Sequence, residues 1–315
     1  MNDASSLKER VCRRVDTERA ALLDLSARIH AFPELRFAEQ QAATWLADYL
    51  EHAGFDVERG AYGLPTAFAA RFGRGVPRVA ILCEYDALPG IGHACGHNII
   101  GAAGAGAGVA LAEVIAETGG SLVVLGTPAE EGGGGKIIMA RHGAFDGIDA
   151  AMMVHPAGVD LPSMQVLAVS QLEVEYLGRA AHASAFAHRG INALDALVTA
   201  YGAIAQLRQH IRPTERIHGI ITDGGQAPNI VPERAAGLFY VRAASARALD
   251  RLVQRVSACF RAGALASGAQ LNLRTVGESY SDMLTNRPLA ARYAVNMERL
   301  GRPLLDIASV STAVA

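Results

Sequence analysis

The chain has 315 residues, 50% of them hydrophobic and 19% charged, with a formal net charge of -2. That length buries a substantial core and fits about one to three domains. The near-neutral balance lacks the basic footprint that nucleic acid and anionic membranes demand, so small-molecule or peptide ligands are expected, with no nucleic acid and no membrane among the partners. The four cysteines, Cys12, Cys83, Cys95 and Cys259, are far apart and form no C-x-x-C pair. A disulfide framework or zinc ribbon is therefore not expected. Cys12, Cys83 and Cys259 read as small buried hydrophobes, whereas Cys95 reads as a thiol with a chemical task.

Residues 1–14 carry Asp3, Lys8, Glu9 and Arg10 where a secretory signal needs an apolar core, so a cytoplasmic location is expected. Helical periodicity covers residues 7–30 and 39–52, and Pro33 enforces a break between them through its missing N–H and fixed φ. Apolar runs at 66–72, 78–84, 121–127 and 150–155 alternate with helical or Gly-rich connections and predict an α/β sheet. The run 99–112 is dominated by Gly and Ala and is too short to span a bilayer, which predicts a closely packed buried helix.

After Pro162 the pattern changes to strand 166–177, helix 192–210, strands 217–222 and 235–243, helix 246–266 and strand 270–276. The order β-α-β-β-α-β is the split βαβ, ferredoxin-like plan. The expected division is a first part of an α/β catalytic domain over 1–165, an inserted lid domain over 166–276, and a return to the catalytic domain over 277–315; the resemblance drawn below implies that the inserted domain also dimerises and that the return is incomplete.

The chemistry-bearing residues sit where strands end, the place at which open α/β sheets put their sites. Behind the strand at 78–84 comes Cys83-Glu84-Tyr85-Asp86-Ala87-Leu88-Pro89-Gly90-Ile91-Gly92-His93-Ala94-Cys95-Gly96-His97-Asn98. A thiolate and an imidazole two residues apart can converge on one metal, and a thiolate can bridge two. The next strand ends in Thr127-Pro128-Ala129-Glu130-Glu131-Gly132, and the one after it in Met153-Val154-His155-Pro156. Adjacent glutamates point in different directions, so one can bind metal while the other takes a proton from bound water. The glycines at 132–135 permit close backbone approach. A phosphate-loop reading of the glycines and Lys136 fails, because it needs Gly at Glu130 and Ser or Thr at Ile137.

The lid region adds two turn clusters, one around His182 and Ser184 and one over residues 224–232 that contains Asn229. With Arg242, these offer the donors that hold a tetrahedral oxyanion and a substrate carboxylate. His52, His142, His188, His210 and His218 have no such context and read as structural or exposed.

Seven ordered motifs carry a family resemblance. They are His30-Ala31-Phe32-Pro33-Glu34-Leu35, Glu84-Tyr85-Asp86-Ala87-Leu88-Pro89, His93-Ala94-Cys95-Gly96-His97-Asn98, Pro128-Ala129-Glu130-Glu131-Gly132, Val154-His155-Pro156, Ala181-His182-Ala183-Ser184 and residues 225–232. From about His30 to Asp282 the chain resembles the aminoacylase and hippurate hydrolase family of di-metal metallopeptidases, most closely its aminobenzoyl-glutamate hydrolase-like dipeptidase branch. The resemblance implies a metal-dependent amidohydrolase acting on a small N-acyl amino acid, an aminobenzoyl-glutamate-like compound or a dipeptide. It implies two divalent ions, Mn or Zn first with Co or Ni compatible, on Cys95, His97, Glu131 and His155, with Cys95 bridging. Glu130 would be the general base, and Asp86 would orient the site. Glu84 stands where many relatives place a metal-binding His. His182 would cross to the partner's active site in a homodimer built on the inserted domain, while Asn229 and Arg242 contact substrate.

One departure bears on activity. Val310-Ser311-Thr312-Ala313-Val314-Ala315 starts like a stretch that relatives continue toward a last metal-binding His, and no His follows His218. A second expectation is therefore a catalytically inactive, truncated homologue that serves as a dimeric metal-binding or regulatory protein. A third, a cysteine-nucleophile hydrolase using Cys95 and His97, is disfavoured because residues two apart on a loop are better placed to share a metal.

Overall fold

A computed structural model describes residues 4–302; the stretch 310–315, where the family's pattern breaks off, lies outside the described residues. The chain forms two compact units that divide between Gly158 and Val159.

The first unit opens with helices α1 (Ala4–Ala31) and α2 (Gln40–His52), then β1 (Asp56–Arg59), β2 (Phe68–Gly73), β3 (Arg78–Cys83), α3 (His97–Thr118), β4 (Ser121–Gly126), α4 (Gly135–Arg141) and β5 (Ala150–Met152). The sheet order is β1-β2-β4-β3-β5. Strands β4, β3 and β5 run parallel, and β2 and β1 extend the sheet antiparallel. Every residue of β4 is buried, as a parallel strand covered on both faces must be. Leu122 and Val124 join a core with Leu25 and Ile29 of α1 and Leu46 and Leu50 of α2, while Val123 and Leu125 join Met139 of α4 on the other face. The alternation along one strand thus sets a three-layer α/β/α packing.

Helix α3 is longer than the apolar run 99–112 suggested. Its 22 residues reach the length and hydropathy of a membrane span, yet 61% of its most apolar window is buried in the unit. Small residues are what bring it that close. A Cβ at Gly104 would lie 2.6 Å from Cys83 Sγ and 2.9 Å from the Leu82 carbonyl oxygen. The helix axis therefore rests almost directly on β3, whose end carries the site.

The second unit contains β6 (Ala168–Leu177), α5 (Ala193–Leu207), β7 (Arg216–Asp223), β8 (Arg234–Ala243), α6 (Ala246–Ser267), β9 (Gln270–Thr275) and α7 (Arg287–Arg299). Its sheet is antiparallel in the order β7-β8-β6-β9, the ferredoxin-like arrangement expected from the order of elements. Along β6 the inward residues Ala168, Ser170, Leu172, Val174 and Tyr176 alternate with half-exposed ones. The hydrophobic members of that row share a core with Leu197 and Ile204 of α5 and Leu252, Val256 and Phe260 of α6. Asn192 and Ser245 accept backbone N–H bonds at the starts of α5 and α6, which fixes where each helix begins.

Two details differ from the sequence reading. Cys12 is exposed on α1 rather than a buried hydrophobe, while Cys83 is buried and Cys259 half-buried. The strand expected over 150–155 pairs only at Ala150–Met152. Pro156 has no N–H to donate to a ladder, so His155 sits on the loop beyond the strand end.

Candidate active site

The carboxyl ends of β3, β4 and β5 place their loops together at one edge of the parallel sheet. Gly96, with φ +79°, separates Cys95 from His97 and starts α3; a Cβ there would come within 2.9 Å of Pro156 Cγ. That glycine lets the loop after β5 close against the start of α3, and it brings Cys95 Sγ to 3.6 Å from His155 Nε2. The His97 and His155 rings meet edge to face at 6.0 Å.

His97 is fully buried and held from behind. Its Nδ1 lies 2.9 Å from Asp86 Oδ1, and the other Asp86 oxygen accepts the Glu131 backbone N–H at 2.8 Å. Its Nε2 faces three carboxylates: Glu84 Oε2 at 3.4 Å, Glu130 Oε2 at 3.8 Å and Glu131 Oε1 at 3.8 Å. Lys136, the first-turn residue of α4, ion-pairs with the other oxygen of Glu84.

This geometry shifts the titrations. Burial raises the Glu130 carboxyl, and the neighbouring Glu84 charge raises it further. Burial would depress His97, but its bond to Asp86 and the Glu84 charge outweigh that and raise it. Burial likewise opposes ionisation of Asp86, yet the His97 and Glu131 contacts hold it below the ordinary carboxylate range. Burial together with Glu131, Glu130 and Glu84 pushes the Cys95 thiol up to about 12. At neutral pH without a cation, Cys95 is a protonated thiol and therefore a poor nucleophile.

Among the described residues, two groups have ligand atoms within 4.8 Å of one another: Cys95, His97 and His155, and Glu84, His97 and Glu130. Glu84 Oε2, His97 Nε2 and Glu131 Oε1 are buried without a hydrogen-bond partner. Buried polar atoms left unsatisfied and aimed at one another, in a surplus of carboxylate, fit divalent cations, which would satisfy all of them at once. Sulfur, nitrogen and oxygen donors suit a borderline metal.

The first unit thus gathers Cys95, His97, Glu130, Glu131 and His155 as the sequence led us to expect. It also adds two residues that the motifs did not assign. Glu84 belongs to the cluster, and Lys136 ion-pairs with it; the signal for Lys136 was its place in the first turn of a helix that follows the Glu130-Glu131 loop.

In the second unit, His182 and Asn229 come together. The His182 and Ile230 backbones form a bridge, the Ala183 N–H donates to the Asn229 carbonyl oxygen at 2.9 Å, and His182 Nδ1 lies 3.1 Å from Ser184 Oγ. Arg242 is elsewhere. Leu177, which leads into the His182 turn, pairs with Arg234, whereas Arg242 pairs with Val169 at the opposite end of β6. Eight residues of strand separate the two ends, on the order of 25 Å. The Arg242 guanidinium stacks 5.5 Å over the Tyr240 ring.

An α/β unit with carboxylates, imidazoles and a thiol at its strand ends, in a chain that also carries a ferredoxin-like unit, is the kind of protein that can hold metal ions at the edge of its sheet. The comparisons with known proteins agree. Residues 169–267 match the peptidase dimerisation domain of M20 peptidases. The chain is 40% identical to the Xaa-Arg dipeptidase of Mus musculus over 95% of its own length and 73% of that protein's. It is 34% identical to one of the subunits of the p-aminobenzoyl-glutamate hydrolase of Escherichia coli (strain K12), covering 92% of this chain and 64% of the relative. The fold matches the crystal structure of an aminobenzoyl-glutamate utilization protein from Klebsiella pneumoniae with a TM-score of 0.74 at 20% identity, over 92% of this chain and 83% of the other. It also matches a dinuclear metal-binding M20 peptidase of Bacillus subtilis with a TM-score of 0.69 at 22% identity, over 92% and 82%. The chain belongs to the M20 family of peptidases and is a hydrolase.

Proposed function

We propose that the protein hydrolyses the amide or peptide bond of a small N-acyl amino acid, an aminobenzoyl-glutamate-like compound or a dipeptide. Two divalent ions, Mn or Zn ahead of Co or Ni, would be held by Cys95, His97, Glu131 and His155. The observation that carries the reading is the convergence of these groups with Glu130 on His97 Nε2, itself buried and unpartnered. Bound ions supply Lewis acidity that brings the pKa of a water toward neutrality.

The protein's own groups do the rest. Glu130 accepts the proton of the attacking water at its carboxylate and returns it to the leaving amine, and its raised pKa suits both halves of that task. Asp86 fixes the His97 tautomer by accepting from Nδ1–H, which leaves Nε2 free to ligate. The thiol of Cys95 would lose its proton on binding a cation. His182 of the partner subunit would stabilise the oxyanion in a homodimer, with Asn229 and Arg242 contacting substrate. Because Arg242 and His182 lie at opposite ends of the lid sheet, the two would serve different subsites or different protomers' sites. Residues 277–302, which cluster with the second unit, would lead the chain back toward the catalytic domain, and the protein would be cytoplasmic.

The relatives named above are hydrolases, so an inactive regulatory role has no support. The Cys95 nucleophile reading is weakened by the raised thiol pKa. Metal analysis together with a turnover screen on Xaa-Arg and Xaa-Lys dipeptides, aminobenzoyl-glutamate and hippurate, with Mn or Zn supplied, tests the proposal. Two ions per chain with chelator-sensitive hydrolysis are expected. Chelator-resistant turnover would return the choice to Cys95.

A further inference from the structure

Glu39 is a carboxylate that neither the metal cluster nor the base assignment uses, and it is completely shielded from solvent. It stands at the start of α2, one residue before the helix begins, and does not cap that helix with its side chain. Its Oε1 instead accepts the backbone N–H of Ala129 at 2.8 Å, and its Oε2 accepts the buried Thr66 hydroxyl at 3.1 Å. The Thr66 carbonyl oxygen in turn accepts the hydroxyl of the buried Tyr85 at 2.6 Å. A fully buried carboxylate is costly, and burial raises its pKa, so a group kept there is held for the bonds it accepts.

Ala129 immediately precedes Glu130 and has φ +57°, a left-handed conformation that strains any residue with a Cβ and persists only where its surroundings hold it. The turn is thus clamped on both sides of Glu130. The Ala129 amide is bound by Glu39, and the Glu131 amide is bound by Asp86. Releasing the first clamp would let Ala129 relax out of the left-handed region, and the rotation would carry the Glu130 side chain with it.

We propose that Glu39 is a positioning residue that holds the Ala129 turn and thereby aims Glu130 at its water. This rests on Glu130 being the general base. It predicts a defect in kcat rather than in substrate binding, because a misplacement near 1 Å costs on the order of 10²-fold in rate.

The test uses the full chain with E39A, E39Q, E39D and, as a separate control, E130Q. Gln can accept from the Ala129 amide through its carbonyl and donate to Thr66, whereas Ala can do neither. In metal-loaded protein E39A should lose at least tenfold in kcat with KM within threefold of wild type, and E39Q should recover to within threefold of wild type. In metal-free E39A the amides of residues 127–132 should exchange with solvent at least tenfold faster while those of β4 do not change. A smaller kcat loss, unchanged exchange at 127–132, or failure of E39Q to restore both would overturn the proposal. If E39A does not fold, E39D, which shortens the reach by one carbon, is judged by the same limits. An E130Q variant that keeps its activity would defeat the base assignment, while the exchange experiment reports on the Glu39 clamp independently.

Discussion

Asp86 Oδ1 lies 2.9 Å from His97 Nδ1, and both side chains are buried. That pairing orients an imidazole whose other nitrogen points at three carboxylates. Because the second Asp86 oxygen takes the Glu131 amide, one side chain fixes the histidine and the glutamate loop together. Asp86→Ala should therefore weaken divalent-metal affinity by about 10- to 100-fold. Competition against a chelator of known affinity measures it, and an unchanged affinity would remove Asp86 from the role.

Glu130→Gln should lower kcat by about 10²-fold or more at unchanged metal content, because the amide cannot shuttle a proton. Retention of more than about a tenth of wild-type turnover would be incompatible with a general base.

The pH dependence of the metal-free protein follows from the same pair. His97 has a raised folded pKa, so its stabilising contribution is complete below the ordinary histidine value of 6.5 and is lost as pH rises through the raised value. Asp86 has a lowered pKa, so its contribution is present above 3.8 and lost as pH falls through the depressed value. Thermal midpoints of the chelated protein should decline on both sides of that window. In Asp86→Asn the decline above 6.5 should flatten, and a curve that overlays wild type would show that the pair does not titrate as a unit.

Gly104→Ala should be disproportionately harmful for a single methyl group. The new Cβ would fall 2.6 Å from Cys83 Sγ and 2.9 Å from the Leu82 carbonyl oxygen, so α3 must move off β3. Overpacking of this kind costs about 1–3 kcal/mol, which denaturant titration resolves. Turnover should fall as well, since β3 leads directly into Glu84 and Asp86.

Mixing of variant chains addresses the lid. His182→Ala and Glu130→Gln chains should each be nearly inactive, yet an equimolar, fully exchanged mixture should regain up to about a quarter of wild-type activity, because about half of its dimers are mixed. In them one site would receive an intact His182 across the two-fold axis and an intact Glu130 of its own. No recovery after confirmed exchange would place His182 outside the partner's site.

Much of this protein was legible in the linear chain, and the residues show why. Periodicity located α1, α2, α5, α6 and the strands from β2 to β9 to within a few residues, because most of them bury one regular face. The ligand types at three strand ends marked the site because parallel sheets collect those ends at one edge. Strand β1 was not anticipated, since Asp56-Val57-Glu58-Arg59 is a short, polar edge strand with only one neighbour. Helices α4 and α7 were likewise hidden by weak periodicity.

The sequence by itself determined the fold plan and which residue types stand at the strand ends, since both depend on local pattern and residue chemistry. Only the tertiary structure decided the partnerships. It put Lys136 on Glu84, Asp86 behind His97 and Glu39 behind Ala129, and it set Arg242 at the far end of the second unit's sheet from His182. Those relationships join positions 11 to 90 residues apart, or separate residues of one sheet by its register, and they arise from how layers pack rather than from any spacing along the chain.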